Sequence, residues 1–446
     1  MTEFSQGPVM WQAIMAILIF AAAYVCMLIE KWDRTYTALG GALLMIVLGI
    51  VPMGKAFSTF ANWHALLLFA SLTVIAGIME KTGLIAYAAS AIIRKFRLKP
   101  FTILLSLSLL VAAISAVLDA FLAIAVIVPI LLSATKMLKL SSVPFLIAVV
   151  LSANVGGAAT LLGNMPNRMI GIAAGLTMGR FLVVLAPLVV ILLLIVYVVM
   201  WLLYGKKLIV SDSHKRELLS LQPISYLTRD PVLLWGVSIA AVLTLLAFVL
   251  QGVLDWKASY IGAVGAAALL ALDYKSIIHL VKSRDYRTVV QGVMETQVLF
   301  FLGLFIMVGG LAYAGVSGFV AARGLEISQG SIPFLTNLVL WLTSIGSAMM
   351  DTIPYVAAML PVIQHTGFIL ADVGDISISP LWWSLIIGAA IGGSATLFGS
   401  TASMFAAGLA GQNGGGLSHR AYFIVAAPVS LLLLIVATIY FNLFLL

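Results

Sequence analysis

Two aspartates lie deep within apolar sequence. Asp119 ends the segment Ser-Ala-Val-Leu-Asp at 115–119, and Asp351 ends Ser-Ala-Met-Met-Asp at 347–351. Of the sixteen Asp and Glu residues, only these two are far from predicted loops and span ends. A carboxylate at membrane depth costs about 3 kcal/mol unless it is paired, hydrated or protonated, so we interpret both as candidate proton-coupling residues. The structural alternative is that each Asp caps the helix that follows it.

A second motif, Gly-Gly-x-Ala-Thr-Leu-x-Gly, occurs at 156–163 and, with Ser before the Ala, at 392–399. Small residues of this kind allow close helix packing, which is one interpretation. We favour a broken helix, because paired glycines loosen a helix and expose its backbone groups. Half-helix N-termini would then direct positive dipole ends at an anion or a polar oxyacid.

The candidate substrate-binding residues come from these four segments and the asparagines beside them. They are Ser115, Asp119, Ala120, Asn154, Gly156, Gly157, Thr160, Asn164, Asn167, Ser347, Asp351, Thr352, Gly392, Gly393, Thr396 and Ser400. Arg168 is a further candidate for neutralising an anionic substrate, with a lipid headgroup contact as the alternative.

The motifs belong to an internal repeat. The two aspartate segments are 232 residues apart, and the two glycine blocks are 236 apart. Phe69, Gly77 and Gly83 recur at the first of these offsets as Phe301, Gly309 and Gly315. The sequence therefore predicts two similar halves: 1–204 with a hairpin at 101–138 and a broken helix at 143–165, and 233–446 with a hairpin at 333–366 and a broken helix at 380–400. The polar segment 205–232 is predicted to be a cytoplasmic linker.

The elements that must position these residues are membrane-spanning helices. The chain has 446 residues, of which 63% are hydrophobic and 9% charged, so a soluble domain is excluded. The predicted spans are roughly 11–29, 38–53, 64–80, 143–165, 181–204, 233–252, 259–273, 295–314, 380–400 and 421–444.

The Lys and Arg distribution predicts the orientation. If the N-terminus is outside and both hairpins are re-entrant, eighteen Lys and Arg residues are cytoplasmic and five are outside. Full double crossings in place of the hairpins leave this distribution unchanged. Five spans per half is an odd number, so the second repeat must be inverted relative to the first. We predict an all-α polytopic protein of the cell (cytoplasmic) membrane, with two inverted repeats of about five spans and one hairpin each and both termini outside.

Several classes of function are excluded or disfavoured. Cys26 is the single cysteine, and the five histidines show no metal-ligand spacing, so no metal or cofactor is expected. No nucleophile–base pair is visible, which argues against an enzyme. The net charge of +8 is typical of cytoplasmic loops beside lipid headgroups rather than of nucleic-acid binding.

The chain resembles the ion transporter superfamily, especially arsenite efflux permeases (ArsB) and P-protein-like permeases. The resemblance is carried by the segments 115–119, 152–167, 351–354 and 391–397. It implies a scaffold domain and a transport domain that holds the hairpins and broken helices, with alternating access between them. It also allows a soluble ATPase subunit to dock on the cytoplasmic face. Ala120 and Thr352 stand where the family often has Asn, which favours proton over sodium coupling.

Our first hypothesis is efflux of arsenite or antimonite in exchange for protons. Arsenite is an uncharged trihydroxide near neutral pH, and it suits a site of hydroxyls, amides and backbone dipoles that lacks a committed cationic clamp. The alternative is a sodium- or proton-coupled symporter of a carboxylate, sulfate or another small anion, and a sodium/proton antiporter is third. A channel is disfavoured by the hairpins and the inverted repeat.

Overall fold

The computed structural model describes residues 10–29, 32–96, 99–208, 223–228, 230–274, 297–372, 374, 376–412 and 416–446. Every regular element within these ranges is helical, and the predicted all-α polytopic class is confirmed. Most of the predicted linker, including 209–222, lies outside the described residues.

The described part of the N-terminal half contains ten longer helices: α1 (Met10–Ile29), α2 (Arg34–Val47), α3 (Trp63–Lys81), α4 (Leu84–Lys95), α5 (Pro100–Val117), α6 (Ala120–Met137), α7 (Val143–Gly157), α8 (Met165–Ala173), α9 (Met178–Val184) and α10 (Ala186–Tyr204). The C-terminal half continues with α11 (Val237–Val249), α12 (Ala258–Leu272), α13 (Gln297–Tyr313), α14 (Val316–Ile327), α15 (Ile332–Met349), α16 (Thr352–Ala371), α17 (Ser379–Ala395), α18 (Thr401–Gln412) and α19 (His419–Phe444). Short helical turns lie at Met53–Lys55, Ala56–Phe60, Pro223–Tyr226, Val232–Gly236 and Gln251–Leu254.

Eight of the described helices are long and apolar enough to cross a membrane, namely α1, α3, α5, α6, α10, α15, α16 and α19. The pair α13–α14, bent by 63°, makes a ninth if it is one span. Only 28% of α10 is buried inside the protein, as expected of a helix that faces lipid. These helices support a multi-pass membrane protein.

Both predicted hairpins are pairs of helices joined by a tight turn. α5 and α6 meet at Leu118 and Asp119, and α15 and α16 meet at Met350 and Asp351. Proline stands in the first turn of α5 and of α15, where its missing N–H costs no hydrogen bond. The depth of these hairpins in a membrane, and the inversion of the repeats, stay predictions.

The predicted broken helices end earlier than the sequence suggested. α7 ends at Gly157 and α8 begins at Met165, so the expected span 143–165 is a helix followed by an irregular segment. In the second half, α17 ends at Ala395 and α18 begins at Thr401. α8 and α18 were not predicted, because each is short and begins directly after a polar break.

A second pair of unpredicted helices, α4 and α14, follows α3 and α13 after sharp turns. The turns use Gly83 (φ 73°) and Gly315 (φ 80°), both in the left-handed region that favours glycine. The repeat at these two glycines therefore marks a real bend in each half. Sequence hydropathy missed both helices because it reports apolar length and not direction.

The helices form two packed groups. α1, α2, α3, α11, α12 and α13 contact one another and form what we call the flanking bundle. Both hairpins pack with α7, α8, α10, α17, α18 and α19, and we call this group the hairpin bundle. The bundles meet where α13 contacts α16 and where α3 contacts α8.

Candidate functional site

The tip of the first hairpin is organised by Asp119. Its Oδ1 accepts a hydrogen bond from the backbone N–H of Phe121 at 2.8 Å and so caps α6. Its Oδ2 accepts from Arg168 Nη2 at 3.0 Å, and the Arg168 side chain is only 2% exposed. Arg168 also donates to the carbonyls of Leu118 at 2.7 Å and Leu162 at 2.9 Å. This guanidinium therefore joins the hairpin tip to the break after α7, and its interpretation as a headgroup contact is wrong.

The tip of the second hairpin is organised by Asp351. Its Oδ1 accepts from the N–H of Ile353 at 3.2 Å and caps α16. Its Oδ2 accepts from Arg34 Nη1 at 2.7 Å and from Thr401 Oγ1 at 3.4 Å. Arg34 is the first residue of α2, so this ion pair joins the hairpin bundle to the flanking bundle.

Each tip is also bonded to the helix break of its own half. The N–H of Ala120 donates to the Gly163 carbonyl at 3.2 Å, and the N–H of Thr352 donates to the Gly399 carbonyl at 3.2 Å. The hydroxyl of Thr160 donates to the Ala116 carbonyl, and that of Thr396 donates to the Ala348 carbonyl at 2.6 Å. The same hydrogen bonds form in both halves, which explains why the aspartate and glycine motifs repeat together.

The glycine pairs serve close packing, and the helix breaks lie after them. A Cβ added to Gly156 would lie 2.6 Å from the Ala112 Cα, and one added to Gly392 would lie 2.2 Å from the Ser344 carbonyl oxygen. α7 and α17 therefore touch the first arm of each hairpin through backbone. Both interpretations of the motif hold in part. The glycines allow the close contact between helices, and each helix ends at or shortly after them.

The two halves meet at Asn154. Its Nδ2 donates to the Gly393 carbonyl at 3.3 Å and to Ser403 Oγ at 3.2 Å. Its Oδ1 accepts from Ser400 Oγ at 3.1 Å. The position that corresponds to Asn154 in the second repeat is Ala390, so a single amide makes this connection.

A cavity of about 550 Å³ lies between the two bundles and contacts both hairpin tips. Four carboxylates line it, those of Asp33, Glu80, Asp119 and Asp351, together with the guanidinium groups of Arg34 and Arg168. Apolar side chains such as Phe300, Phe301 and Phe121 complete the wall. Both arginines reach this cavity. Each is paired with a tip carboxylate.

Half of the predicted binding residues line this cavity: Asp119, Ala120, Asn154, Asn164, Asp351, Thr352, Gly393 and Ser400. The others lie behind the wall, namely Ser115, Gly156, Gly157, Thr160, Asn167, Ser347, Gly392 and Thr396. Asn164 both lines the cavity and caps α8, accepting from the Asn167 N–H at 2.9 Å. Ser115 donates to the Ala153 carbonyl at 2.6 Å, and Asn167 donates to the Gly157 and Thr160 carbonyls at 3.0 and 2.7 Å. These contacts hold the segments that carry the lining residues.

The sequence did not predict the lining contributed by the flanking bundle. Asp33 caps α2 by accepting from the Thr35 N–H at 2.7 Å, and Glu80 lies in the last turn of α3. Both are near helix ends, where charged residues are ordinarily solvated, so their types and positions gave no signal. Arg34 was placed among the cytoplasmic loop charges for the same reason.

The fold and the cavity between two helix bundles define a multi-pass membrane transporter. The chain belongs to the family described as "CitMHS: Citrate transporter", whose model matches residues 24–388. An uncharacterised transporter of Mycobacterium tuberculosis (strain H37Rv) is 31% identical over 431 residues, which cover 96% of this chain and 97% of that protein.

One further relative matches nearly the whole chain, and one solved structure shares its fold. The human P protein is 25% identical over 508 residues that cover 96% of this chain and 59% of that protein. The crystal structure of the Alcanivorax borkumensis YdaH transporter matches this fold with a TM-score of 0.59 at 13% identity and covers 98% of both chains. The family, the Mycobacterium tuberculosis relative and the YdaH protein are transporters and not enzymes. The narrower resemblance to arsenite efflux permeases stays a prediction.

Proposed function

We propose that the chain is a proton-coupled secondary active transporter working by alternating access, and that its first cargo is arsenite or antimonite, exported in exchange for protons. One observation carries the proposal: two carboxylate–guanidinium pairs line the same cavity at the tips of two hairpins. In both pairs the carboxylate contacts the guanidinium group, so the two hairpin tips present no net charge to a solute. An uncharged trihydroxide binds such a surface through hydroxyls, amides and backbone groups without displacing a counter-ion.

The proton has a defined place to act in this arrangement. Asp351 is 11% exposed and Arg34 is 30% exposed at the cavity wall, so their ion pair is reachable from the cavity. A proton on Asp351 removes the carboxylate charge that faces Arg34 at 2.7 Å. Because loss of this ion pair changes the stability of Arg34 in a partly desolvated site, binding of the proton and the arrangement of the site are coupled.

A second cargo class is favoured by two observations, the family described as a citrate transporter and the two arginines of the cavity. A guanidinium group binds a carboxylate in a two-pronged geometry. In a proton-coupled symporter, protonation of Asp351 would release Arg34 to hold one carboxylate of a small anion. The soluble ATPase subunit and the orientation in the cell membrane stay predictions.

Uptake into everted membrane vesicles tests the proposal. Vesicles acidified inside should accumulate arsenite, and collapse of the proton gradient should reduce that accumulation at least tenfold. Asp351→Asn should reduce it to a similar extent. The matched control is Asp372→Asn, which removes an exposed carboxylate at the end of the same helix and away from the cavity.

Parallel uptake assays with labelled citrate or sulfate distinguish the two classes of cargo. Citrate accumulation driven by an outside-acid gradient, without arsenite transport, would replace the first cargo with the second. Arsenite uptake that persists at full rate without a proton gradient would contradict proton coupling for that cargo.

A further inference from the structure

The two tip carboxylates obtain their guanidinium partners from different parts of the fold. Arg168 lies on α8, in the same repeat and the same bundle as Asp119. The position that corresponds to Arg168 in the second repeat, 236 residues later, is Met404. Asp351 is paired instead with Arg34 of the flanking bundle, and Arg34 Nη2 lies 3.9 Å from Met404 Sδ. The guanidinium of Arg34 thus lies beside the side chain that replaces the arginine of the first repeat.

This difference has a mechanical consequence. The Asp119–Arg168 pair is contained within the hairpin bundle, and Arg168 is held there by the Leu118 and Leu162 carbonyls as well. The Asp351–Arg34 pair crosses the boundary between the bundles. When one bundle moves against the other, the first pair travels as a unit, whereas the second must break.

We infer that Arg34 and Asp351 form a latch between the two bundles, and that Asp351, unlike Asp119, is the carboxylate whose charge controls their relative movement. The inference rests on the alternating access proposed above and assigns the coupling to one of the two aspartates. Neutralising Asp351 releases the flanking bundle. Neutralising Asp119 weakens the first hairpin tip and leaves the bundle boundary closed.

The charged and titratable groups around Asp351 come from several elements. Arg34 faces it from α2, and Tyr24 of α1 lies beside the pair in a small second cavity that also includes Met404. Thr401 of α18 donates to it, and Asp33, Glu80, Asp119 and Arg168 line the large cavity that it borders. Of these groups, Arg34 is the cation in contact with Asp351, so it is the partner whose removal the test must examine.

The inference is tested by an interspin distance across the boundary. Cys26 is the only cysteine, so a Cys26→Ala background permits two labels, at Val264→Cys on α12 and Phe368→Cys on α16. Both positions are exposed, at 70% and 61%. In lipid nanodiscs, Asp351→Asn and Arg34→Gln should each increase the population of a second distance at least threefold over the parent. Arg34→Lys, which keeps the charge, should show a smaller increase than Arg34→Gln.

Met404→Arg is the most specific variant, because it gives Asp351 a partner within its own bundle, as Asp119 has. It should shift the distance distribution in the same direction as Arg34→Gln. Asp119→Asn should leave the distribution unchanged and lower the melting temperature. Distributions identical to the parent in both Asp351→Asn and Arg34→Gln, or an equal shift in Asp119→Asn, would overturn the latch.

The distance measurement requires no cargo, so it separates the two proposals. If vesicles transport neither arsenite nor citrate while Arg34→Gln still shifts the distances, the latch stands and the proposed cargo is wrong. If transport is proton-coupled while the distances never change, the proposed function stands and the latch is wrong.

Discussion

At the scale of single residues, glycines outside the cavity help to determine the geometry of the site. Gly392 does not line the cavity, yet its missing Cβ lets α17 approach the first arm of the second hairpin. That contact sets the position of Gly393 and Ser400, which do line the cavity. Interiors are packed densely, so an added methyl group at such a contact moves whatever lies behind it.

We predict that Gly392→Ala destabilises the protein by about 1–3 kcal/mol, the usual range for overpacking, and reduces transport. The added Cβ would lie 2.2 Å from the Ser344 carbonyl oxygen, which cannot move without shifting α15. Thermal unfolding in detergent measures the effect. The control is Gly40→Ala, where a Cβ meets nothing within 4 Å and stability should be equal or higher. Equal melting temperatures for the two variants would contradict the packing role.

Asn154 joins the helix break of the second repeat to α7 of the first through buried side-chain hydrogen bonds. We expect Asn154→Leu to cost about 1–3 kcal/mol, because it removes the buried hydrogen bonds of the amide to Gly393, Ser403 and Ser400. Asn337→Leu removes an amide from an exposed pair with Asn442 and should change stability by less than about 0.5 kcal/mol. Unfolding temperatures of the two variants provide the comparison, and an equal loss would count against the central role of Asn154.

At the scale of helices and turns, the molecule is shaped by interruptions. The breaks after α7 and α17 let hairpin tips bond to free backbone groups, and the bends at Gly83 and Gly315 redirect the chain after α3 and α13. Irregular backbone in a membrane protein is tolerated where protein or a cavity satisfies its polar groups. The backbone bonds of Ala120 and Thr352 to the two breaks meet that requirement.

Gly83 also contacts residues 223–228, the described part of the predicted linker near its C-terminal end. A Cβ at this position would lie 1.7 Å from the Tyr226 carbonyl oxygen, and the Thr228 N–H donates to the Thr82 carbonyl at 3.1 Å. We predict that Gly83→Ala destabilises the protein more than Gly330→Ala. Both glycines have positive φ, so both variants lose about 1 kcal/mol from backbone strain, but a Cβ at Gly330 meets nothing.

Thermal unfolding of the two glycine variants measures the difference. A larger loss at Gly83 would show that residues 223–228 dock on the bend between α3 and α4. The same loss in both variants would mean that this docking contributes no stability.

At the scale of the whole molecule, similar halves carry different charges. The repeat preserves the tip aspartates, their helix-capping hydrogen bonds, and the hydrogen bonds between each hairpin tip and the helix break of its half. It does not preserve Arg168 or Asn154, whose counterparts are Met404 and Ala390. Of the two ion pairs at the hairpin tips, one therefore lies within a bundle and the other between bundles, which is the difference that the proposed latch uses.

The predicted orientation is tested by accessibility in intact cells. In a Cys26→Ala background, the Lys257→Cys variant should react with a membrane-impermeant maleimide added outside, and the Lys206→Cys variant should react only after permeabilisation. The physical reason is the excess of Lys and Arg on the predicted cytoplasmic side. The unlabelled Cys26→Ala parent is the control, and the opposite pattern would reverse the orientation.

Much of the fold was predictable because the features that indicate it can be recognised along the sequence without knowledge of the tertiary structure. Apolar length indicates a spanning helix, and a constant offset between two motifs indicates a repeat, whatever the chain does in space. Asp119 and Asp351 were predictable for the same reason, since a carboxylate in the middle of an apolar run is unfavourable without a partner.

The identity of those partners was decided only by the tertiary structure. Arg34 and Asp351 are 317 residues apart, and nothing in the local sequence of either distinguishes a loop cation from a buried counter-ion. The glycine motif likewise predicted a special contact, but whether it served a break or a close approach depended on the Ala112 and Ser344 backbone across the interface. Sequence alone determined that two carboxylates deep in apolar sequence needed a partner, hydration or a proton. Packing determined that one is neutralised within its own bundle and the other across the boundary between bundles.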